Sequence, residues 1–552
     1  MGVNAPALTG ALTGALAGVL AAPGVRAMAA LAGVAAAFGA LVLLVAQLGA
    51  PLALAGLTAV ALAIPFFYRP EFATLAVVFL LYTNIPVIAS QRGVPVALAS
   101  GFLLLLAFPL VHHALFRREG LRTDLVLALM LVLLGVLLVG AVGAQGPDVA
   151  VAYVQSYVAE GLVLYWLLVN TIRSEVTLRR VVWTLLAAGA LLGALTTYQE
   201  ATGAYDQTFY GLAQRNYEYR QLMQLDPDDP GAQELIENFA GGRNQRAEGP
   251  VNETNRFAQI MLVLVPLAVF ARRTARGRGA RLAAIAAAAL ILGGLLFAAS
   301  RGAFLVLVLM AGLATWLGWM RPAHLAVGAL AAVLVLPAVA PKYAERLLRV
   351  GAVTSLVDGG TGAEADGAIR GRATEMLAAA QTFRDHPVLG VGPGQYMPFY
   401  ALRYQQQDPR LKFRDLQTPR RAHSLYIELA AELGLLGLTS FLAIFAVLLR
   451  RLDAARRRWQ AVRPDLAELA TALLLSLVAF LGTSVFLQLS FQRYAWLLVA
   501  LASAALHAMG AAEREAGGQE PAVRRSGLRA PVAPGTPHRP VPPLPEWGTV
   551  PR

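Results

Sequence analysis

The 552-residue chain contains no cysteine and has few charged residues for its length. The absence of cysteine excludes disulfides, thiolate nucleophiles and zinc sites built on cysteine. Charged residues make up only 14% of the chain, whereas soluble proteins carry about a quarter. Acidic residues are fewer than basic residues, with 33 Asp and Glu against 46 Lys and Arg. In so apolar a chain, the net charge of +13 is typical of basic anchors beside membrane spans and not of nucleic-acid binding.

Long apolar runs dominate the rest of the sequence, which is 57% hydrophobic with a mean hydropathy of +0.58. A run of about 20 apolar residues crosses the roughly 30 Å hydrocarbon core of a bilayer as a helix. We therefore predict an all-α polytopic membrane protein with about 14 transmembrane helices and a large, partly helical periplasmic loop. The predicted spans are residues 28–48, 51–67, 72–90, 96–115, 125–142, 150–170, 181–198, 257–271, 282–299, 302–320, 323–340, 425–449, 466–489 and 494–509.

Arginines in the short loops predict the orientation of these spans. They cluster in four loops that all fall on one side of the membrane, which identifies that side as cytoplasmic. Both termini are then cytoplasmic, and both long polar loops are periplasmic. The predicted domains are a loose or interfacial N-terminal segment (1–26), an N-terminal transmembrane bundle (27–198), a first periplasmic loop (199–255), further transmembrane helices (256–340), a large periplasmic loop (341–422), C-terminal transmembrane helices (423–509) and a disordered Pro-rich cytoplasmic tail (510–552).

Arg301 stands out because it lies on the predicted periplasmic side, in a tight connection between two spans. A cation is costly at this depth unless an anion pairs with it. The alternative is an arginine that extends towards lipid phosphates. Its setting in Ser300-Arg301-Gly302 favours a fixed position facing the protein.

The first periplasmic loop ends in a stretch that holds Arg246 and Asn255. Gly249 and Pro250 predict a turn between them. Asn255 is a favourable N-cap for the span that follows, so a solvated loop with a helix cap is the simpler interpretation. The functional interpretation is that Arg246 forms part of an anion-binding site.

The large loop predicts an amphipathic helix over residues 368–385, with Leu377 and Phe383 on its apolar side. Arg370 and Arg372 lie near its start, where the helix dipole disfavours cations. An anionic partner would explain their position.

A turn is predicted after this helix. His386 precedes a proline, which predicts a helix end and argues against a catalytic role for this histidine. Gly390, Gly392 and Gly394 follow at alternate positions, a pattern that lets backbone approach backbone or ligand closely.

His423 is the candidate general base. Of the seven histidines, only His386 and His423 fall in the predicted periplasmic loops. A histidine titrates near neutral pH and can accept a proton from a hydroxyl group. Arg421 lies beside it, and Glu428, one turn into the next span, is placed to pair with a nearby arginine. The sequence shows no metal-ligand cluster at this position.

The order of these pieces resembles the O-antigen ligase/polymerase superfamily of bacterial membrane glycosyltransferases. Each piece alone is common, and the resemblance depends on the ordered set at matching membrane positions. The set is Arg246-x-x-Gly249-x5-Asn255, Ser300-Arg301-Gly302, Arg372-x3-Met376, Pro387-Val-Leu-Gly390-Val-Gly392-x-Gly394 and His423-Ser-Leu-Tyr-x-Glu428-x3-Glu432-Leu-Gly434-Leu-Leu-Gly437.

The resemblance implies glycan transfer from an undecaprenyl diphosphate carrier to a hydroxyl acceptor, at the periplasmic face of the bacterial inner membrane and without metal or cofactor. The acceptor would be lipid A-core or a growing glycan, and membrane lipids and polysaccharide export machinery are the expected partners, without nucleic acid. His423 would be the catalytic base. The expected diphosphate-binding residues are Arg301, Arg372, Arg246 and Arg370, and the expected supporting residues are Asn255, Gly392, Gly394, Arg421 and Glu428.

Several alternatives stay open. Met376 replaces a tryptophan common in the superfamily, and the chain has about two more predicted spans than is usual there. Ligase and polymerase are therefore nearly equal interpretations. A protein-glycosylating relative is a further alternative. From another class, a polysaccharide-lipid transporter or flippase would show ionisable residues in mid-span and broken helices. A scaffold would not require arginines on the periplasmic side beside a histidine.

Overall fold

The structure, a computed structural model, describes residues 69–94, 101–215, 246–339, 343, 367–407, 419–488 and 492–518. The predicted N-terminal segment 1–26 and the predicted spans 28–48 and 51–67 lie outside these residues. The described chain is almost entirely helical, and its β-structure is one short antiparallel pair, β1 (Gln214–Arg215) with β2 (Ala247–Gly249). The predicted all-α class is confirmed.

Fifteen helical elements are used below, numbered along the described chain. They are α1 (Glu71–Thr83), α2 (Ile85–Gln91), α3 (Gly101–Phe116), α4 (Leu125–Val142), α5 (Pro147–Thr171), α6 (Glu175–Thr202), α7 (Thr254–Thr274), α8 (Arg278–Phe297), α9 (Arg301–Trp316), α10 (Pro322–Val339), α11 (Gly367–Asp385), α12 (Ala401–Gln407), α13 (Leu425–Trp459), α14 (Pro464–Phe486) and α15 (Gln492–Gly518).

Eight of these helices are long and apolar enough to cross a membrane: α4, α5, α6, α7, α8, α13, α14 and α15. Each coincides with one predicted span. The predicted span 72–90 is the pair α1 and α2, which bends by 58° at Asn84 and makes a ninth span if the pair is counted as one. The predicted spans 96–115, 302–320 and 323–340 correspond to α3, α9 and α10, whose apolar stretches are shorter. The chain is thus a multi-pass membrane protein, and the total of 14 stays a prediction.

Small residues allow the helices to approach closely. A Cβ at Gly193 of α6 would collide with the carbonyl of Leu290 in α8, and a Cβ at Gly294 of α8 would lie 3.2 Å from the Cα of Gly193. Helices in a bilayer associate largely through such close van der Waals packing, because lipid is as apolar as their side chains.

A break at Gly434 divides α13. This residue has φ +63° and ψ −162°, and a Cβ here would collide with the backbone of Val388. The break frees backbone groups that need partners inside a membrane. The turn that follows α11 supplies them: Val391 and Gly392 donate to the carbonyls of Ala431 and Glu432 at 2.9 and 2.8 Å, while Leu435 and Leu436 donate to the carbonyls of Pro387 and Val388 at 2.8 and 3.3 Å.

Helix α11 confirms the predicted loop helix and ends before His386, as the His-Pro pair predicts. Its buried face differs from the expected one, since Leu377 and Phe383 are only half-buried. The fully buried positions hold Gly371, Thr374, Glu375, Ala378, Ala379 and Thr382. These residues repeat at three- and four-residue intervals on one face, and their small size lets α11 lie close against α13.

The chain divides into two compact units, residues 1–508 and 509–552. The described part of the second unit is the end of α15, which continues to Gly518. The rest of the predicted tail lies outside the described residues.

Candidate active site

His423 and Glu375 form the closest titratable pair at the start of α13. The Nδ1 atom of His423 lies 2.8 Å from Oε2 of Glu375 and 3.3 Å from the carbonyl oxygen of Arg421. Glu375 comes from the buried face of α11, and 3% of its side chain is exposed, against 28% for His423. The histidine therefore reaches solvent while its carboxylate partner is enclosed.

Charges around His423 act on its pKa in opposite directions. Burial lowers the pKa, but the contact with Glu375 and the negative charge of Glu375 raise it. The positive charge of Arg372, also on α11, lowers it again. Because the effect of Glu375 prevails, the pKa of His423 lies above its usual value near 6.5.

Glu428 fixes the backbone on the N-terminal side of His423. Its Oε1 accepts from Nη1 of Arg421 at 2.7 Å, and its Oε2 accepts from the amide of Ala422 at 3.1 Å. Burial lowers the pKa of Arg421, but the negative charges of Glu428 and Glu432 outweigh it and raise that pKa. His423 itself has φ +48°, a left-handed conformation uncommon outside glycine. We call Glu375, Arg421, His423 and Glu428 the histidine cluster.

The turn that follows α11, which contains Gly390, Gly392 and Gly394 and which we call the glycine turn, packs α13 against other spans. The amide of Gly394 donates to Oε2 of Glu432 at 3.0 Å. Gly392 has φ +104°, and a Cβ there would lie 3.0 Å from the carbonyl oxygen of Gly140 in α4. Gln395 exchanges two hydrogen bonds with the backbone of Gly146, between α4 and α5. The predicted close approach of backbone to backbone is confirmed at Gly390 and Gly392, whereas a Cβ at Gly394 would meet the side chains of Val149 and Tyr153.

Arg246, Asn255 and Ser300 form a second polar group, which we call the asparagine cluster. Arg246 donates to the carbonyl of Ala298 at 3.0 Å and to Oδ1 of Asn255 at 3.3 Å. The hydroxyl of Ser300 donates to the same Oδ1 at 2.9 Å. Ala298 caps the C-terminus of α8, where a cation is favourable for the helix dipole.

The prediction that Asn255 is the N-cap of the following span is wrong. Glu253 caps α7 instead, with its side chain accepting from the amides of Asn255 and Arg256 at 3.0 and 2.6 Å. A glutamate two residues earlier reaches both amides, so Asn255 lies inside the first turn and its side chain is available to Arg246 and Ser300. The predicted turn at Gly249 and Pro250 is confirmed, with Gly249 at φ +55°.

Three of the four predicted diphosphate-binding arginines lie in the first turns of two helices. Arg301 is half-buried at the first position of α9, directly after its N-cap Ser300. Arg370 and Arg372 lie in the first two turns of α11, also half-buried. The Nε atom of Arg370 is buried without a hydrogen-bond partner among the described residues. Arg301 thus directly follows a member of the asparagine cluster in the chain, and the charge of Arg372 acts on His423.

Helix α7 lies between the two clusters. Asn255 belongs to the asparagine cluster, and the next residue, Arg256, lies within electrostatic reach of Glu428 and Arg421. Arg256 is 1% exposed, and its guanidinium donates to Oε1 of Gln259 at 2.6 Å and to the carbonyl of Gln488. One turn of one helix therefore links the two groups, although they derive from separate loops.

The membrane-span helices contain charged residues, a feature expected of the transporter alternative. Buried or half-buried examples include Glu160, Arg256, Glu428, Glu432 and Arg493. Arg493 pairs with Glu160 at 3.2 Å and donates to Oδ1 of Asn84 at 3.1 Å. Pairing removes much of the penalty for burying a charge, which is why the spans tolerate them.

Sequence reasoning missed Glu375 and the mutual support of Gly434 and the glycine turn. The sequence did contain a sign that Glu375 is buried, because Glu375 lies on the same helical face as Gly371, Ala378 and Ala379. A carboxylate among small residues is expected to be buried and therefore to need a partner. Within the described residues, no three His, Asp or Glu side chains are grouped to hold a metal ion. Metal independence stays a prediction.

A family model described as O-Antigen ligase matches residues 286–442. This match confirms the resemblance to the O-antigen ligase/polymerase superfamily. The matched region includes Arg301, Arg372, Glu375, His423 and Glu428, whereas Arg246 and Asn255 precede it. A comparison with curated proteins gives no match for this chain. The match supports a ligase- or polymerase-type function.

Proposed function

We propose that this protein is a metal-independent glycosyltransferase of the O-antigen ligase type. It transfers a glycan from undecaprenyl diphosphate to a hydroxyl of lipid A-core, or of a growing polysaccharide if it is a polymerase. The reaction takes place at the periplasmic face of the bacterial inner membrane. The observation that carries the proposal is His423, whose Nδ1 lies 2.8 Å from a buried carboxylate and whose ring is 28% exposed beside Arg372.

The chemistry needs a base for the acceptor and cations for the leaving group. The acceptor hydroxyl gives its proton to His423 as its oxygen attacks the anomeric carbon of the donor glycan. The bond from that carbon to the diphosphate oxygen breaks, and its electron pair leaves with undecaprenyl diphosphate. Arg301 and Arg372, with Arg246 and Arg370, stabilise the negative charge on the diphosphate. Arginine suits this task because its planar guanidinium can contact two phosphate oxygens at once.

The transporter alternative gains two observations, the bend at Asn84 and the break at Gly434. At both breaks, hydrogen bonds to other parts of the chain satisfy polar groups. Asn84 donates to the carbonyl of Pro250 at 2.7 Å and accepts from Arg493, while the glycine turn pairs with the Gly434 break. A broken helix that lines a transport path instead leaves polar groups for the substrate. The two helix breaks therefore fit a role in holding neighbouring segments of the chain better than a role in lining a transport path.

Purified full-length protein in detergent tests the proposal directly. We expect transfer of glycan from an undecaprenyl diphosphate-linked donor to an acceptor, unchanged by a chelator. Activity lost to the chelator would contradict the metal-free mechanism. A deletion strain separates the two subtypes: loss of all long polymer on lipid A-core indicates a ligase, and a single repeat unit left on the core indicates a polymerase.

Reporter fusions test the proposed orientation. Fusions after Asp229 and Asp408 should be active only with reporters that work outside the cytoplasm, because the arginine-rich short loops predict that these segments are periplasmic. A cytoplasmic signal at either position would contradict the assignment.

A further inference from the structure

Glu375 has a chemical setting that a purely structural carboxylate would not require. It is 3% exposed on a face of α11 made of small residues, and its Oε2 lies 2.8 Å from a ring nitrogen of His423, whose side chain is 28% exposed. A buried carboxylate is costly unless charge or hydrogen bonding compensates it. Here the compensation comes from a group that can gain and lose a proton near neutral pH.

The geometry around His423 determines where its proton resides. Two oxygen acceptors face Nδ1: Oε2 of Glu375 at 2.8 Å and the carbonyl of Arg421 at 3.3 Å. In a neutral imidazole one nitrogen carries hydrogen and the other carries the lone pair. Two acceptors at Nδ1 favour the tautomer with hydrogen on Nδ1, so the lone pair lies on Nε2.

We propose that Glu375 is a positioning residue for His423, holding its hydrogen on Nδ1 so that Nε2 takes the proton of the acceptor hydroxyl. This inference rests on the proposed function. When Nε2 accepts that proton the ring becomes a cation, and the carboxylate 2.8 Å away offsets the new charge. No further reactant is needed, because the proton comes from the acceptor and the leaving electron pair goes to the diphosphate.

The charged groups around His423 come from each element packed against it. Helix α11 contributes Glu375 and Arg372, the segment before α13 contributes Arg421, and α13 contributes Glu428, which interacts with His423 by charge. Arg372 opposes the effect of Glu375 on the pKa of His423, and the net result is a raised pKa. Replacing Glu375 by an isosteric amide should therefore lower that pKa, since burial and Arg372 both act downward.

An NMR titration measures the pKa of His423 and does not depend on transfer activity. Full-length protein labelled with carbon-13 in its histidine rings is titrated in detergent micelles by NMR, and His423→Gln identifies the resonance. Glu375→Gln should lower the pKa of His423. Asp385→Asn is the matched control, because Asp385 ends the same helix and accepts from the hydroxyl of Tyr404 at 2.7 Å. It should leave the titration of His423 unchanged.

A pH–rate profile then connects the pair to transfer. Since His423 must be neutral to act as a base, the acidic limb of kcat/KM should move to lower pH in Glu375→Gln, and the plateau should fall at least about tenfold. Glu375→Asp, which keeps the charge, should recover part of the rate. In a His423→Ala background, Glu375→Gln should add little further loss.

The outcomes separate the inference from the proposed function. A His423 titration that does not move in Glu375→Gln would overturn the inference, as would a rate loss with an unmoved acidic limb, which is the result of a merely structural role. A titration that moves in a protein without transfer activity would support the coupling of the pair and overturn the proposed reaction.

Discussion

The histidine cluster and the asparagine cluster hold their basic side chains by different kinds of oxygen. In the histidine cluster, Arg421 and His423 face the carboxylates of Glu428 and Glu375 at 2.7 and 2.8 Å. In the asparagine cluster, Arg246 donates to a backbone carbonyl and a side-chain amide. A carboxylate offsets the charge of its partner, whereas a neutral oxygen orients a guanidinium without offsetting its charge.

This difference suggests a division of labour within one site. The pairs of the histidine cluster suit proton transfer, because a carboxylate sets the basicity and tautomer of an imidazole. The contacts of the asparagine cluster suit donor binding, because the oxygens of Ala298 and Asn255 orient the guanidinium of Arg246. Arg301 and Arg372 each lie beside one cluster, so a diphosphate held by both would bridge the two.

Replacing His423 should have the largest effect. We expect His423→Ala to lower the rate of transfer on the order of 10²- to 10⁴-fold, the usual loss when a general base is removed. Donor binding should stay near normal, because the base acts on the acceptor. Transfer and donor binding by the purified variant are the measurements, and an active His423→Ala protein would contradict the division of labour.

Arg372 should follow, with a loss in rate on the order of 10²- to 10³-fold in Arg372→Ala. Arg372→Lys retains the charge but not the planar fork, so we expect an intermediate rate. Arg301→Ala should weaken donor binding as well as turnover. Kinetics at varied donor concentration separate these effects, and a fully active Arg372→Lys protein would show that charge alone suffices.

The asparagine cluster should affect donor binding more than the proton-transfer step. Arg246→Gln should weaken donor binding about tenfold, the scale of one hydrogen bond to a charged group. Asn255→Asp places a carboxylate beside Arg246 and so imitates the histidine cluster. It should weaken donor binding more than Asn255→Ala does, and the opposite order would refute the comparison.

Glu428 should contribute chiefly to stability. Glu428→Gln leaves the Arg421 guanidinium without its carboxylate partner, and we expect a loss of roughly 1–3 kcal/mol in unfolding free energy. The rate should fall only to the extent that the backbone before His423 moves. Thermal unfolding in detergent, compared with transfer below the transition, is the measurement. A large rate loss in a protein of unchanged stability would place Glu428 in the reaction itself.

His386 should have the smallest effect. It is exposed at the end of α11, with its ring 6.1 Å from that of Tyr400. His386→Ala should transfer glycan at close to the normal rate, which makes it the matched control for His423→Ala. A severe loss would show that the second histidine of the loop takes part.

Local features of the chain were predictable because they depend on short stretches of sequence. Hydrophobic runs located the eight span helices, since crossing a bilayer requires about 20 apolar residues in a row. The His-Pro pair predicted the end of α11. The predicted N-cap of α7 was wrong because two nearby polar residues, Glu253 and Asn255, could each cap the start of the helix. The tertiary structure shows that Glu253 is the cap and that Asn255 contacts Arg246.

The sequence by itself determined the class of the protein, the helices that span, and the candidates Arg301, Arg372 and His423. Tertiary structure decided which of these face a partner. Glu375 and His423 are brought together only because a small-residue face lets α11 lie against α13, and the break at Gly434 is tolerable only because the glycine turn satisfies its backbone. Burial in a bilayer is a property of local composition, whereas pairing between distant side chains depends on how helices pack.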